Sequence, residues 1–212
     1  SLNGSATISI EPGTSYTELG ASSADAHDSV TNPTVSVGGD AVNISAVGTY
    51  TVTYDVSDAS GNAATQLTRT VTVVDTTAPV ITVTAGTDTV ERGSAWTDAG
   101  ATTTEGTIST SGTVNTAVAA TYTITYSATD ASNLTTTATR TVTVEDTTAP
   151  VITVTAGTDT VERGSAWTDA GATTTEGTIS TSGTVNTAVA ATYIITYSAT
   201  DASNLTTTAT RT

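Results

Sequence analysis

The feature that most constrains this chain is an internal repeat. The segment that begins DTTAPVITVTAGTDTVERGSAWTDAGATTTEG at Asp75 begins again at Asp146, a period of 71 residues. Over the 67 positions that can be compared, 75–141 against 146–212, one residue differs: Thr123 in the earlier copy and Ile194 in the later. Residues 1–74 form a diverged third copy, in which EPGTSYTELGA at 11–21 stands for ERGSAWTDAGA at 91–101. VGTYTVTYDVSDASGN at 47–62 likewise stands for AATYTITYSATDASN at 119–133. Units of this length stack so that each touches mainly its neighbours. The repeat sets three expected domains, 1–74, 75–145 and 146–212, the first short at its N-terminal end and the last at its C-terminal end. Near-identity between neighbouring copies points to recent duplication, which suits spacers better than catalytic domains.

Within each copy the apolar residues recur with period two, the spacing of a half-buried strand. Tyr122, Ile124, Tyr126 and Ala128 share one face, while Thr123, Thr125 and Ser127 share the other. The first copy repeats this with Tyr50, Val52, Tyr54 and Val56 against Thr51, Thr53, Asp55 and Ser57. The one substitution between the later copies falls on the outward face, where a β-branched exchange costs little. Turn-forming groups at 84–88, 98–100, 111–112 and 130–133 separate the runs and predict about seven short strands per copy. Strands of this number and length close naturally as a two-sheet sandwich.

The Gly48-Thr49-Tyr50 segment has the form of a tyrosine corner, a feature of immunoglobulin-type sandwiches. Val52, Ile124 and Ile195 then occupy the place where antibody domains carry a cysteine, with apolar packing in place of a disulfide. The chain has no Cys, which agrees with export in an unfolded state as well as with other locations.

The motifs DTTAPVIT, GSAWTDAGA, TYTITYSATDASN and ATRTVTVEDTTAP together resemble the bacterial immunoglobulin-like repeats related to HYR-like domains. Such repeats occur in arrays in large surface adhesins and envelope proteins. The resemblance implies an all-β fold of tandem immunoglobulin-like Greek-key sandwiches arranged end to end, and an extracellular or cell-surface location. One departure stands out. Where related repeats often carry an acidic loop after the TDAGA motif, residues 101–107 read ATTTEGT, and the first copy carries Ala24-Asp25-Ala26-His27-Asp28-Ser29 in that region.

Charge and composition then narrow the partners. Twenty acidic residues face five basic ones, all Arg, for a formal charge of −15. Such a polyanion repels nucleic acid and anionic membrane and attracts divalent cations. No apolar run is long enough to span a bilayer, so this segment is not expected to insert into one. The expected partners are neighbouring repeats of the same chain and, for a lattice, lateral copies of the same protein.

Calcium at the joints is the sharpest chemical reading, because Ca²⁺ takes six to eight oxygen ligands. The candidate ligands are Asp75, Asp146, Glu145, Asp58, Asp130, Asp201, Asp98 and Asp169, with Glu105 and Glu176 in nearby loops. The competing reading makes them ordinary turn formers. No catalytic set is expected: the single His27 has no nucleophile beside it, and Cys and Lys are absent. Trp96 and Trp167, with Tyr16 at the equivalent place, read as packing aromatics and alternatively as sugar-stacking platforms. Sequons at Asn3, Asn43, Asn133 and Asn204 are common by chance in a chain rich in Ser and Thr.

The short linker Val73-Val74-Asp75-Thr76-Thr77-Ala78-Pro79 leaves little free chain between copies, and its proline stiffens it. Three units end to end would reach roughly 100–120 Å. The leading expectation is a non-catalytic spacer or stalk segment of a secreted or cell-surface protein of the adhesin type. The alternatives are a lattice-forming surface-layer or filament protein and a carbohydrate-binding module.

Overall fold

Alternation of Thr or Ser with Val, Ile or Tyr leaves the chain one regular option, and every regular element among the described residues is a β-strand. The computed structural model describes residues 1–25 and 33–212, so His27 lies outside the described residues. The first copy supplies β1 (Thr7–Ile10), β2 (Ser36–Gly39), β3 (Gly48–Asp55) and β4 (Leu67–Val73). They form one sheet in the order β1-β4-β3-β2, with β1 parallel to β4 and the other pairs antiparallel.

The second copy supplies β5 (Ile81–Val83), β6 (Thr89–Glu91), β7 (Ala101–Thr103), β8 (Thr107–Ser111), β9 (Ala120–Thr129) and β10 (Thr135–Glu145). Here β5 pairs with β7, while β6-β10-β9-β8 makes the larger sheet and β6 again runs parallel to the last strand. The third copy supplies β11 (Ile152–Val154), β12 (Ala172–Thr174), β13 (Thr178–Ser182), β14 (Ile195–Thr200) and β15 (Thr206–Arg211), in sheets β11-β12 and β13-β14-β15. Among the described residues the copies show four, six and five strands, against the seven expected per copy. Some pairings shrink to a single bridge, as at Leu2 with Ala21 and Ser57 with Ala63, because Gly and Ser at those places favour turns over ladders.

The predicted register holds. Ile124, Tyr126 and Ala128 are buried and the residues between them are not, and Val52 and Tyr54 repeat the pattern in β3. Val52, Ile124 and Ile195, at the antibody cysteine position, are 4%, 3% and 4% exposed, so packing fills the place of a disulfide. Ile194 is exposed, which explains why its exchange with Thr123 is tolerated. The tyrosine corner is present three times. The hydroxyls of Tyr50, Tyr122 and Tyr193 donate to the carbonyls of Ala46, Val118 and Val189, each at 3.1 Å.

Two compact units can be distinguished. One contains Ser1–Val80 together with the loop segments Thr104–Thr107 and Ala128–Thr136, and the other contains Ile81–Thr103, Ile108–Ser127 and Thr137–Thr212. Two loops of the second copy therefore belong with the first copy and its outgoing linker, and both carry carboxylates.

Candidate metal centre

Within the first unit the linker is fastened before any carboxylate is placed. Glu11, just after β1, accepts the amide of Thr76 at 3.2 and 3.1 Å on its two oxygens, and the Thr76 hydroxyl as well. Asp75 precedes that anchor, and its Oδ1 accepts the amide of Thr77 at 3.1 Å, a local turn that fixes the side chain. Glu105 lies in the tight turn between β7 and β8. The next residue, Gly106, has φ +70°, and a Cβ there would collide with the carbonyl of Thr129. Only glycine lets this turn lie directly on the backbone that leads into Asp130.

Asp130 opens the loop between β9 and β10. Its Oδ1 accepts the amides of Ser132 at 2.8 Å and Leu134 at 2.9 Å, and the loop turns through Asn133 at φ +65°, a conformation Asn tolerates. One carboxylate oxygen from each of Asp75, Glu105 and Asp130 lies within 4.8 Å of the other two. Asp130 is 8% exposed, and its Oδ2 is shielded from water without a hydrogen-bond partner. A shielded, unpartnered carboxylate oxygen is costly, and so is crowding of like charges. A hard cation that takes oxygen ligands relieves both. The first copy shows the alternative: both oxygens of Asp58 are used, Oδ1 by the amides of Ser60 and Asn62 and Oδ2 by the Asn62 side chain at 2.8 Å. Leu134 stands where the first copy has Asn62, so that amide donor is missing at Asp130.

The second boundary has the same parts with one addition. Glu91 accepts the amide and hydroxyl of Thr147, the hydroxyl at 2.7 Å, and the hydroxyl of Thr148 at 2.8 Å. These bonds, the Thr147 hydroxyl foremost, hold the Glu91 carboxyl below its ordinary value. Asp201 repeats Asp130, with Oδ1 on the amides of Ser203 and Leu205, each within 2.9 Å, and Oδ2 unpartnered. Asp146 and Glu176, the counterparts of Asp75 and Glu105, are instead paired with Arg92. Its Nε lies 2.8 Å from Asp146 Oδ2, and its Nη2 bonds Glu176. Asp146 Oδ2 also accepts the Ser203 hydroxyl at 3.0 Å.

Asp98 and Asp169 are engaged elsewhere. Each accepts a tyrosine hydroxyl at 2.5 Å, from Tyr126 and Tyr197 respectively, and lies 3.3 Å from the Nε of Arg140 or Arg211. Arg140 also donates to Asp88 at 2.6 Å and to the Thr84 carbonyl, and Arg211 repeats this with Asp159 and Thr155. In the first copy Arg69 bonds Glu18, which also accepts from Tyr16 and, at 2.5 Å, from Tyr54. Burial would raise the Glu18 carboxyl, but hydrogen bonds from Tyr16, Tyr54 and the Gly20 amide, with the Arg69 charge, outweigh it and hold the group at about 2. Burial and its bond to Glu18 push the Tyr54 hydroxyl up to about 12. Sequence reasoning missed these arginine clamps. The signal was available: Arg140, Val142 and Val144 share the inward parity of β10, and a charge at an inward position needs partners. Glu145 ends β10, where its carbonyl accepts the Arg92 amide at 2.6 Å.

Trp96 packs against Val90, Val142 and Val144, and its indole N–H donates to the Thr87 carbonyl at 2.7 Å. Trp167 makes the same bond to Thr158 and lines a cavity of about 440 Å³ with Val161, Val185 and Tyr193.

A family model for the bacterial surface protein Ig-like domain matches residues 1–73, 76–144 and 147–212. The chain belongs to that family. No curated protein sequence matches it. Among solved structures it is similar to a protocadherin gammaB7 EC3-6 cis-dimer structure, at 15% identity and a TM-score of 0.31, covering 97% of this chain and 71% of that one. It is also similar to protocadherin gamma B7 extracellular cadherin domains 1-4, at 15% identity and a TM-score of 0.28, covering 97% and 74%. Neither likeness carries an argument about function.

Proposed function

We propose that this chain is a non-catalytic spacer or stalk segment of an extracellular or cell-surface protein of the adhesin type, with each of 1–74, 75–145 and 146–212 acting as one domain. The observation that carries this reading is the threefold reuse of one polar network for packing. Arg69, Arg140 and Arg211 each bind a carboxylate and sit beside a tyrosine hydroxyl in the interior, so these charged groups serve the core in every copy. Groups placed for chemistry gain little from identical repetition along a chain, whereas a mechanical unit gains length. Sedimentation at high concentration tests the spacer against the lattice: a spacer stays a monomer, and ordered lateral assembly overturns it. Binding to a glycan array that disappears on W96A and W167A would instead favour a carbohydrate-binding module.

We further propose that Asp75, Glu105 and Asp130 take a divalent cation of the Ca²⁺ class. The unpartnered Oδ2 of Asp130, beside two more carboxylates, supports this. Calorimetric titration of the whole chain with CaCl₂ tests it: a saturable site is expected, and no heat of binding sinks the reading.

A further inference from the structure

The strand pairs β1 with β4 and β6 with β10 run parallel, and each joins an early strand of a copy to its last. The registers set Ile10 beside Val73 and Glu91 beside Glu145. Because the paired strands point the same way, the chain enters each pair at one end and leaves it at the other. Tension along the chain therefore slides the strands past each other and loads their hydrogen bonds together. In the first copy these include the Thr70 amide to the Ala6 carbonyl at 2.9 Å and the Val74 amide to the Ile10 carbonyl at 3.0 Å. In the second they include the Thr143 amide to the Asp88 carbonyl at 2.8 Å and the Arg92 amide to the Glu145 carbonyl at 2.6 Å.

A glutamate side chain carries each pair past its last rung. Glu11 follows β1 directly and holds Thr76, in the linker beyond β4, by its amide and its hydroxyl. Glu91 ends β6 and holds the amide and hydroxyl of Thr147, with the hydroxyl of Thr148, in the linker beyond β10. Tension arriving along either linker reaches these threonines before it reaches the ladder.

We infer that Glu11 and Glu91 are force-bearing latches, which must let go of the linker before the first and last strands of their copies can slide apart. The inference rests on the spacer reading given above and adds to it the place where such a spacer carries load. A carboxylate that accepts from an amide and a hydroxyl makes charge-assisted bonds. At equilibrium such exposed bonds add little, because water replaces them when they break. Under load the rate of unfolding decides, and that rate depends on the bonds that break first. The latch therefore raises resistance to pulling more than it raises stability in urea.

The test is single-molecule unfolding of the full 212-residue chain, held by its two ends at constant force, on the wild type, E11A, T76V, E91A and Y50F. Circular dichroism confirms that each is folded. E11A and T76V should each speed one unfolding event about fivefold, the rate equivalent of roughly one net hydrogen bond. E91A should speed a different event, and the urea midpoints of all three should move little. Y50F should do the reverse, lowering the urea midpoint while its unfolding times under force stay near those of the wild type. Should E11A fail to fold, T76V decides, since valine keeps the shape of the linker and removes only the hydroxyl. Unfolding times unchanged in E11A, T76V and E91A overturn the latch, and so does a loss under force no larger than that of Y50F. Lateral assembly in sedimentation would overturn the spacer reading instead, and the two failures are read by separate instruments.

Discussion

At the boundary after the first copy, Glu11 anchors Thr76, Pro12 follows, and the carboxylates of Asp75, Glu105 and Asp130 come within reach of one another, with Asp130 Oδ2 lacking a hydrogen-bond partner. At the boundary after the second copy, Glu91 anchors Thr147 and Arg92 lies across Asp146 and Glu176. The DTTAP segments read the same, while Glu145 stands before the second where Val74 stands before the first. Arg92, in the turn that Glu91 holds against the second linker, pairs with the carboxylates there, and the first copy has Pro12 at that place. The carboxylates recur at both boundaries, Asp75 and Glu105 at one and Asp146 and Glu176 at the other, but their surroundings differ.

The largest expected effect breaks both boundaries together. The second copy supplies Glu105 and Asp130 to one boundary and Arg92 to the other, and Arg140 in its core is 4% exposed. R140M leaves the Asp98 charge without its partner and should cost about 3–5 kcal/mol by urea unfolding, abolishing calcium binding with the fold. The same exchange at Arg211 should leave calcium binding by the first unit intact, and its loss there would show that the boundaries are not independent.

A smaller change separates them. D130N keeps the Oδ1 bonds to Ser132 and Leu134 within reach and removes the charge, so calcium affinity should fall at least tenfold, a loss of about 1.4 kcal/mol. D201N should leave calcium affinity where it was. Equal losses from the two variants would mean that both boundaries bind the ion.

Y50F and Y122F each remove one tyrosine-corner hydrogen bond of 3.1 Å and should each cost about 1 kcal/mol by thermal or urea unfolding. Neither should change calcium affinity, since the corners belong to the scaffold that both copies share.

The smallest and most specific effect is on pH. Glu18 is held at about 2 against an ordinary value of 4.5, so its contribution is fully present above 4.5 and is lost as pH falls through 2. Asp98 and Asp169 are held below their ordinary value in the same direction, Asp98 against the opposing effect of burial and Asp169 chiefly by the Tyr197 hydroxyl. E18Q should flatten the acid limb of stability against pH for the first copy and leave the acid response of the later copies in place. An unchanged acid limb would place the sensitivity in Asp98 and Asp169 alone.

The period of 71 residues, the strand register and the tyrosine corners were legible in the sequence, because each is a local pattern. Tyr126 and Ala128 are inward for the same reason that Thr125 and Ser127 are not: successive side chains of a strand point to opposite faces. The sequence also marked Asp75 and Asp130 as candidate ligands from their loop positions. It could not tell them from Asp98, since all three stand in turns and look alike in one dimension. Tertiary packing made the distinction. It closed Arg140 and Tyr126 around Asp98, and it pressed the Gly106 turn onto Thr129 so that Glu105, Asp130 and the distant Asp75 meet. Strand pattern is set by neighbours in the chain, whereas the state of a carboxylate is set by charges and donors within a few ångströms in space, and the Coulomb term depends on that distance alone.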